Sequence, residues 1–178
     1  MKTVTPILAT LVLSLGSAVA NPEWTELADR QLERLGHRNV IIVADSAYPI
    51  QTGSGIRVFT TGADHLEVVK QLASKIAASK AVRPLIALDK EFAFVPEKHA
   101  PGAAALRKEV LAALDGAGPV REELHEKLLA EVNATAADFE VVVFKTTGTI
   151  PYSSVFFTLD CGYWSAEAEA ELRKAMGE

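Results

Sequence analysis

The chain has 178 residues, with 18 Lys and Arg against 23 Asp and Glu, a net charge of −5 at neutral pH. A mildly acidic chain without a basic run is excluded from the nucleic-acid binders that work by neutralising phosphate, and from docking on anionic lipid. One cysteine, Cys161, excludes an internal disulfide, so stability has to come from the core, aided by association of copies.

Residues 1–20 begin with Lys2, run through the apolar stretch from Ile7 to Leu15, and close on Ala18-Val19-Ala20. A basic start, a short apolar segment and an A-x-A exit form the pattern of a cleavable secretory signal. The apolar run is shorter than the roughly 20 residues of a membrane-spanning helix. The expected mature chain is residues 21–178, one exported α/β domain, periplasmic or secreted and without a membrane anchor after cleavage.

Trp24, Leu27, Ala28, Leu32 and Leu35 recur at helical steps and predict a first helix, capped by Gly36. Val40-Ile41-Ile42-Val43-Ala44 reads as a strand buried on both faces. Asp45 to Gly55 is rich in turn formers and predicts a loop. A second strand is expected over Ile56 to Thr61. Asp64-His65-Leu66-Glu67 has capping-box spacing and opens a second helix, whose first turn is expected to hold His65 toward solvent. Pro84 to Leu88 predicts a third strand, with Phe92 to Val95 extending the sheet after a kink. Two helices are expected at Ala103–Leu114 and Val120–Val132, with His99 and His125 as surface residues. Phe139–Phe144 and Val155–Leu159 predict strands, and Ser165 caps a final helix to about Met176. Apolar strands alternating with amphipathic helices predict an α/β fold, a central, mostly apolar sheet with helices on both faces.

In such a sheet ligands bind beyond the strand ends, which singles out His37, Asp45 and the Tyr152-Ser153-Ser154 run. Read singly, each has a plain structural role. His37 suits the end of the first helix, Asp45 an Asx turn and Tyr152 packing. Cys161 is open to three fates: nucleophile, intermolecular partner, or the buried apolar thiol that is commonest for a free cysteine. No pair of histidines has metal-ligand spacing, and neither a phosphate loop nor a nucleophile elbow is present.

The stretch Leu35-Gly36-His37-Arg38-Asn39, five apolar residues, then Asp45-Ser46-Ala47-Tyr48-Pro49 resembles the N-terminal signature of the D-ribose pyranase/L-fucose mutarotase family. Pro151-Tyr152-Ser153-Ser154 before an apolar strand resembles that family's Pro-Tyr-x-Asn. The resemblance spans roughly residues 30–90 and 139–160. It implies a monosaccharide isomerase that interconverts anomers or ring forms without metal or organic cofactor. By resemblance His37 is the general acid/base, and Asp45, Tyr152 and Ser154 bind the sugar. A non-catalytic module holding a sugar or another small polar ligand is the alternative. The family is oligomeric, with sites near subunit boundaries. That suits a strand roughly 20 Å long separating His37 from Asp45, and a homo-oligomer is expected. Three departures stand out. Ser154 replaces an Asn, Gly148 falls near the place of a basic sugar-contacting residue, and the segment before Pro151 is short.

Overall fold

Three short runs of β-branched and aromatic residues form the middle of the sheet: β1 (Val40–Ala44), β5 (Val141–Lys145) and β6 (Val155–Cys161). In the computed structural model, which describes residues 22–177, they are joined by β2 (Ile56–Thr60), β3 (Val82–Asp89) and β4 (Val120–Glu123) in the order β2-β5-β1-β6-β3-β4. The signal expected over residues 1–20 lies outside the described residues. β1 pairs in parallel with β5, β5 with β2, and β3 with β4, while β6 runs antiparallel between β1 and β3. The carboxyl ends of β1, β3, β4 and β5 therefore meet the amino end of β6 along one edge.

The helices are α1 (Pro22–Arg34), α2 (His65–Ala77), α3 (Ala103–Leu114), α4 (His125–Asp138) and α5 (Ala166–Met176). Alternation along β1 explains why its five residues are all apolar. Ile41 and Val43 face the core under α1, α2 and α3, together with Phe144 and Phe157. Val40, Ile42 and Ala44 face the opposite core under α4, with Leu128, Val132 and Phe156. Each fully buried side chain of this size contributes roughly 1.5–3 kcal/mol. Helices cover both faces, as expected. Gly55 fixes the end of this second layer: a Cβ there would lie 2.2 Å from the Ala136 carbonyl oxygen. α5 buries no residue; it is held at its start by the Ser165 hydroxyl, which accepts the Ala168 N–H at 3.1 Å.

Two expected elements differ. Phe92 to Val95 does not extend the sheet; Lys90–Phe94 is a single 3₁₀ turn, and Phe94 stands 73% exposed. The helix expected from Val120 begins instead at His125, because Val120–Glu123 pairs with Ile86–Asp89 as an edge strand. Leu124, extended at φ −59° and ψ 138°, separates the two.

Candidate active site

Asp45 turns the chain as soon as β1 ends. Its Oδ1 accepts the Ala47 N–H at 2.7 Å, an Asx turn. The turn brings Tyr48 back against the core under α4, and Lys145 at the end of β5 holds it there, donating Nζ to the Tyr48 carbonyl at 2.8 Å. Across from this loop, the connection from β5 to β6 carries Thr149, Pro151, Tyr152 and Ser154. The Ser153 hydroxyl closes it by donating to the Ile150 carbonyl at 2.7 Å. Tyr152 sits at φ 58°, the left-handed region that a bulky side chain seldom occupies.

The remaining wall is the first residue of α4. His125 Nδ1 lies 3.0 Å from Oδ1 of Asp89, the last residue of β3. Its backbone N–H is taken by both carboxylate oxygens of Glu91, at 3.1 and 3.0 Å. The Tyr152 ring stands edge-on to the imidazole, centroids 5.4 Å apart at 85°. Together Asp45, Tyr48, His125, Thr149 and Ser154 line a cavity of about 420 Å³. That volume is within the range of small-molecule sites. Among the described residues, no cluster of His, Cys, Asp and Glu could hold a metal ion.

The electrostatics are those of a buried, negatively biased corner. Burial first, then Asp89 and Asp45, push the Tyr48 hydroxyl up to about 12. Burial pushes the Asp89 carboxyl up to about 6 against the pull of His125, with Glu91 and Asp45 adding to the rise. A carboxyl ordinarily near 3.8 and raised to about 6 makes the folded chain hold a proton that the unfolded chain has lost. Stability from this group therefore falls as pH rises across that window, by about 3 kcal/mol once the carboxylate is fully ionised. Asp89→Asn is expected to stabilise the protein by about 1–3 kcal/mol at pH 8 and by almost nothing near pH 4. Thermal melts at the two pH values check this, and an equal effect at both would refute it.

Of the residues singled out in the sequence, Asp45 and Ser154 line the cavity, whereas Tyr152 meets the His125 ring but lines a neighbouring cavity of about 410 Å³ with Phe94, His99 and Leu124. His37 does not join them. It is exposed in the turn before β1, at the opposite edge of the sheet. There the Arg38 N–H bonds the Leu159 carbonyl at 2.7 Å.

Two histidines are corrected. His65 is not at the surface; it is 1% exposed, with Nε2 donating to the Ser153 carbonyl at 2.8 Å and Nδ1 at 3.1 Å from the Thr146 hydroxyl. Burial lowers its pKa, so it is a neutral strut tying α2 to the β5–β6 connection. A Cβ on Gly148 would lie 2.9 Å from the His65 Cβ, so that position has no room for a basic side chain. His125 is the second correction, and it is the ionisable nitrogen that the cavity does have. Val120 and Leu124 continue the four-residue spacing of Leu128, Val132 and Ala136, so the apolar pattern alone does not mark His125 as the start of its helix.

A mainly parallel sheet with polar residues gathered at the strand ends beside a cavity is the α/β arrangement in which small polar ligands commonly bind. Over residues 25–162 the sequence matches the RbsD / FucU transport protein family, and the chain belongs to it. The fold is similar to that of Bacillus subtilis RbsD, solved in complex with D-ribose, with a TM-score of 0.51 at 17% identity, covering 85% of this chain and 95% of that one. Fucose mutarotase from Streptococcus pneumoniae, solved in complex with L-fucose, gives a TM-score of 0.49 at 14% identity, covering 82% and 96%. No curated protein matches the sequence significantly. α5 lies beyond the matched residues.

Proposed function

We propose that this protein is a mutarotase- or pyranase-like isomerase that interconverts the anomers or ring forms of a free monosaccharide, acting outside the cytoplasm once residues 1–20 are removed. The reading is carried by one observation. In a chain of this family, Asp45, Ser154 and His125 converge on a cavity of about 420 Å³, with Tyr152 packed on the imidazole. Opening a cyclic hemiacetal takes a proton from the anomeric hydroxyl and gives one to the ring oxygen, so it needs two proton-carrying groups. Asp45 and Ser154 hold hydroxyls by hydrogen bonds. His125 supplies one proton carrier. His37, the general acid/base implied by the family signature, supplies the other from a neighbouring copy, because within its own chain it stands at the far edge of the sheet. A homo-oligomer follows from that assignment.

The position of His37 also favours a second reading, a non-catalytic sugar-binding module. Saturation-transfer NMR with ribose, fucose and galactose separates the two. Accelerated anomer exchange by an oligomer, lost in His37→Ala, is the expected result. Binding without faster exchange establishes the module. A monomer by light scattering removes His37 from the mechanism.

A further inference from the structure

We infer that Asp89 is a positioning residue for His125: by accepting the Nδ1 hydrogen it fixes the imidazole as the Nδ1–H tautomer and leaves Nε2 as the base that meets the sugar. The role in catalysis rests on reading the cavity as a sugar site; the tautomer does not.

The geometry is one-sided. The Asp89 side chain has no exposure and does not line the cavity, so it cannot touch a ligand directly. Its Oδ1 lies 3.0 Å from His125 Nδ1, while its Oδ2 is buried without a partner. Above about pH 6 Asp89 is a carboxylate, which acts only as an acceptor, so there Nδ1 carries the hydrogen. A buried carboxylate oxygen without a partner costs free energy, which an apolar residue at this position would avoid. The fold does not require that cost, and a fixed imidazole explains it. The rest of the ring's surroundings hold it still: Glu91 anchors the backbone N–H, and Tyr152, itself in a strained backbone conformation, closes on the ring edge. The groups that face Asp89 are His125, Glu91, Asp45 and the Tyr48 hydroxyl, so His125 is the one cation-forming group among them.

The step balances without a redox partner. Nε2 takes the proton of the anomeric hydroxyl, the C1–ring-oxygen bond breaks as the C1 carbonyl forms, and the ring oxygen gains a proton from the second acid. Asp89 compensates the imidazolium formed. Reclosure on the other carbonyl face runs these transfers backwards. Protonating Asp89 removes that compensation, so exchange is expected to fall as pH drops through about 6.

Long-range ¹H–¹⁵N spectra of the full-length, ¹⁵N-labelled protein at pH 7.5 test the inference, with the His125 ring assigned by its loss in His125→Asn. The wild type should show the Nδ1–H form. Asp89→Ala should lose it, and Asp89→Asn, which keeps an acceptor oxygen, should retain it. Exchange should fall about 10–100-fold in Asp89→Ala, the scale of losing a group that orients another, with sugar affinity changed less than about threefold. Asp89→Asn should keep more of the rate. An Nε2–H tautomer in the wild type, or an Nδ1–H form that survives Asp89→Ala, overturns the inference whether or not any sugar is turned over. Absence of exchange with a wild type that shows the expected tautomer instead counts against the isomerase reading alone.

Discussion

His125→Asn is expected to slow anomer exchange by about 10²–10⁴-fold, the usual contribution of one positioned proton carrier. Asn is the informative substitution because its amide nitrogen occupies roughly the place of Nδ1. It can still donate to Asp89, whose Oδ1 lies 3.0 Å from that atom in the wild type. What the variant lacks is the second ring nitrogen. Loss of rate with an unchanged melting temperature assigns the proton transfer to Nε2. Removing the whole ring in His125→Ala is less clean, because it also leaves the buried Asp89 carboxyl without its partner. Retention of more than about a third of the wild-type rate in His125→Asn would take His125 out of the chemistry and leave it as a wall of the cavity.

Phe144→Ala is expected to destabilise the protein by about 3–5 kcal/mol, a large share of the roughly 5–15 kcal/mol typical of a domain. Phe144 is fully buried in the larger core. Its ring meets Trp24 at 6.4 Å and Phe59 at 6.2 Å between centroids, joining α1 to β2 and β5. Its strand ends one residue later at Lys145, which holds the Tyr48 loop, so the cavity should loosen together with the core. Phe144→Leu, which keeps most of the volume, should cost less than half as much. Urea unfolding of both variants measures the difference, and a cost below about 1 kcal/mol for Phe144→Ala would show that the layer under α1 tolerates collapse.

Much of the fold was legible because burial on two faces leaves a strong mark. Val40 to Ala44 and Val141 to Phe144 are apolar without interruption, and Val155 to Leu159 is broken only by Thr158, the mark of strands covered on both sides. The caps at Asp64 and Ser165 were equally plain, since a side-chain oxygen serving the first turn is a local interaction. Asp45 and Ser154 could be picked out because they adjoin apolar strands, so their position at the mouth follows from chain adjacency.

The hidden part was whatever depends on neighbours far along the chain. Val120–Glu123 has exposed, charged residues and no strand signature; its pairing with Ile86–Asp89 makes it a strand. That pairing moves the start of α4 to His125 and turns a residue expected at the surface into the imidazole of the cavity. The burial of His65 is hidden for a related reason: its place in a first turn says nothing of Gly148, whose missing side chain lets the imidazole pass beneath the β5–β6 connection.

By itself the sequence determined the layered α/β plan, the strands at its centre and the family signature, because apolar periodicity and short polar motifs are written in consecutive residues. The tertiary structure alone decided that Asp89 and His125 are partners 36 residues apart and that Tyr152 closes on the ring. The reason is physical. A hydrogen bond between strand ends is set by sheet order and by the direction of β6, and neither leaves a trace in the residues on either side of the bond.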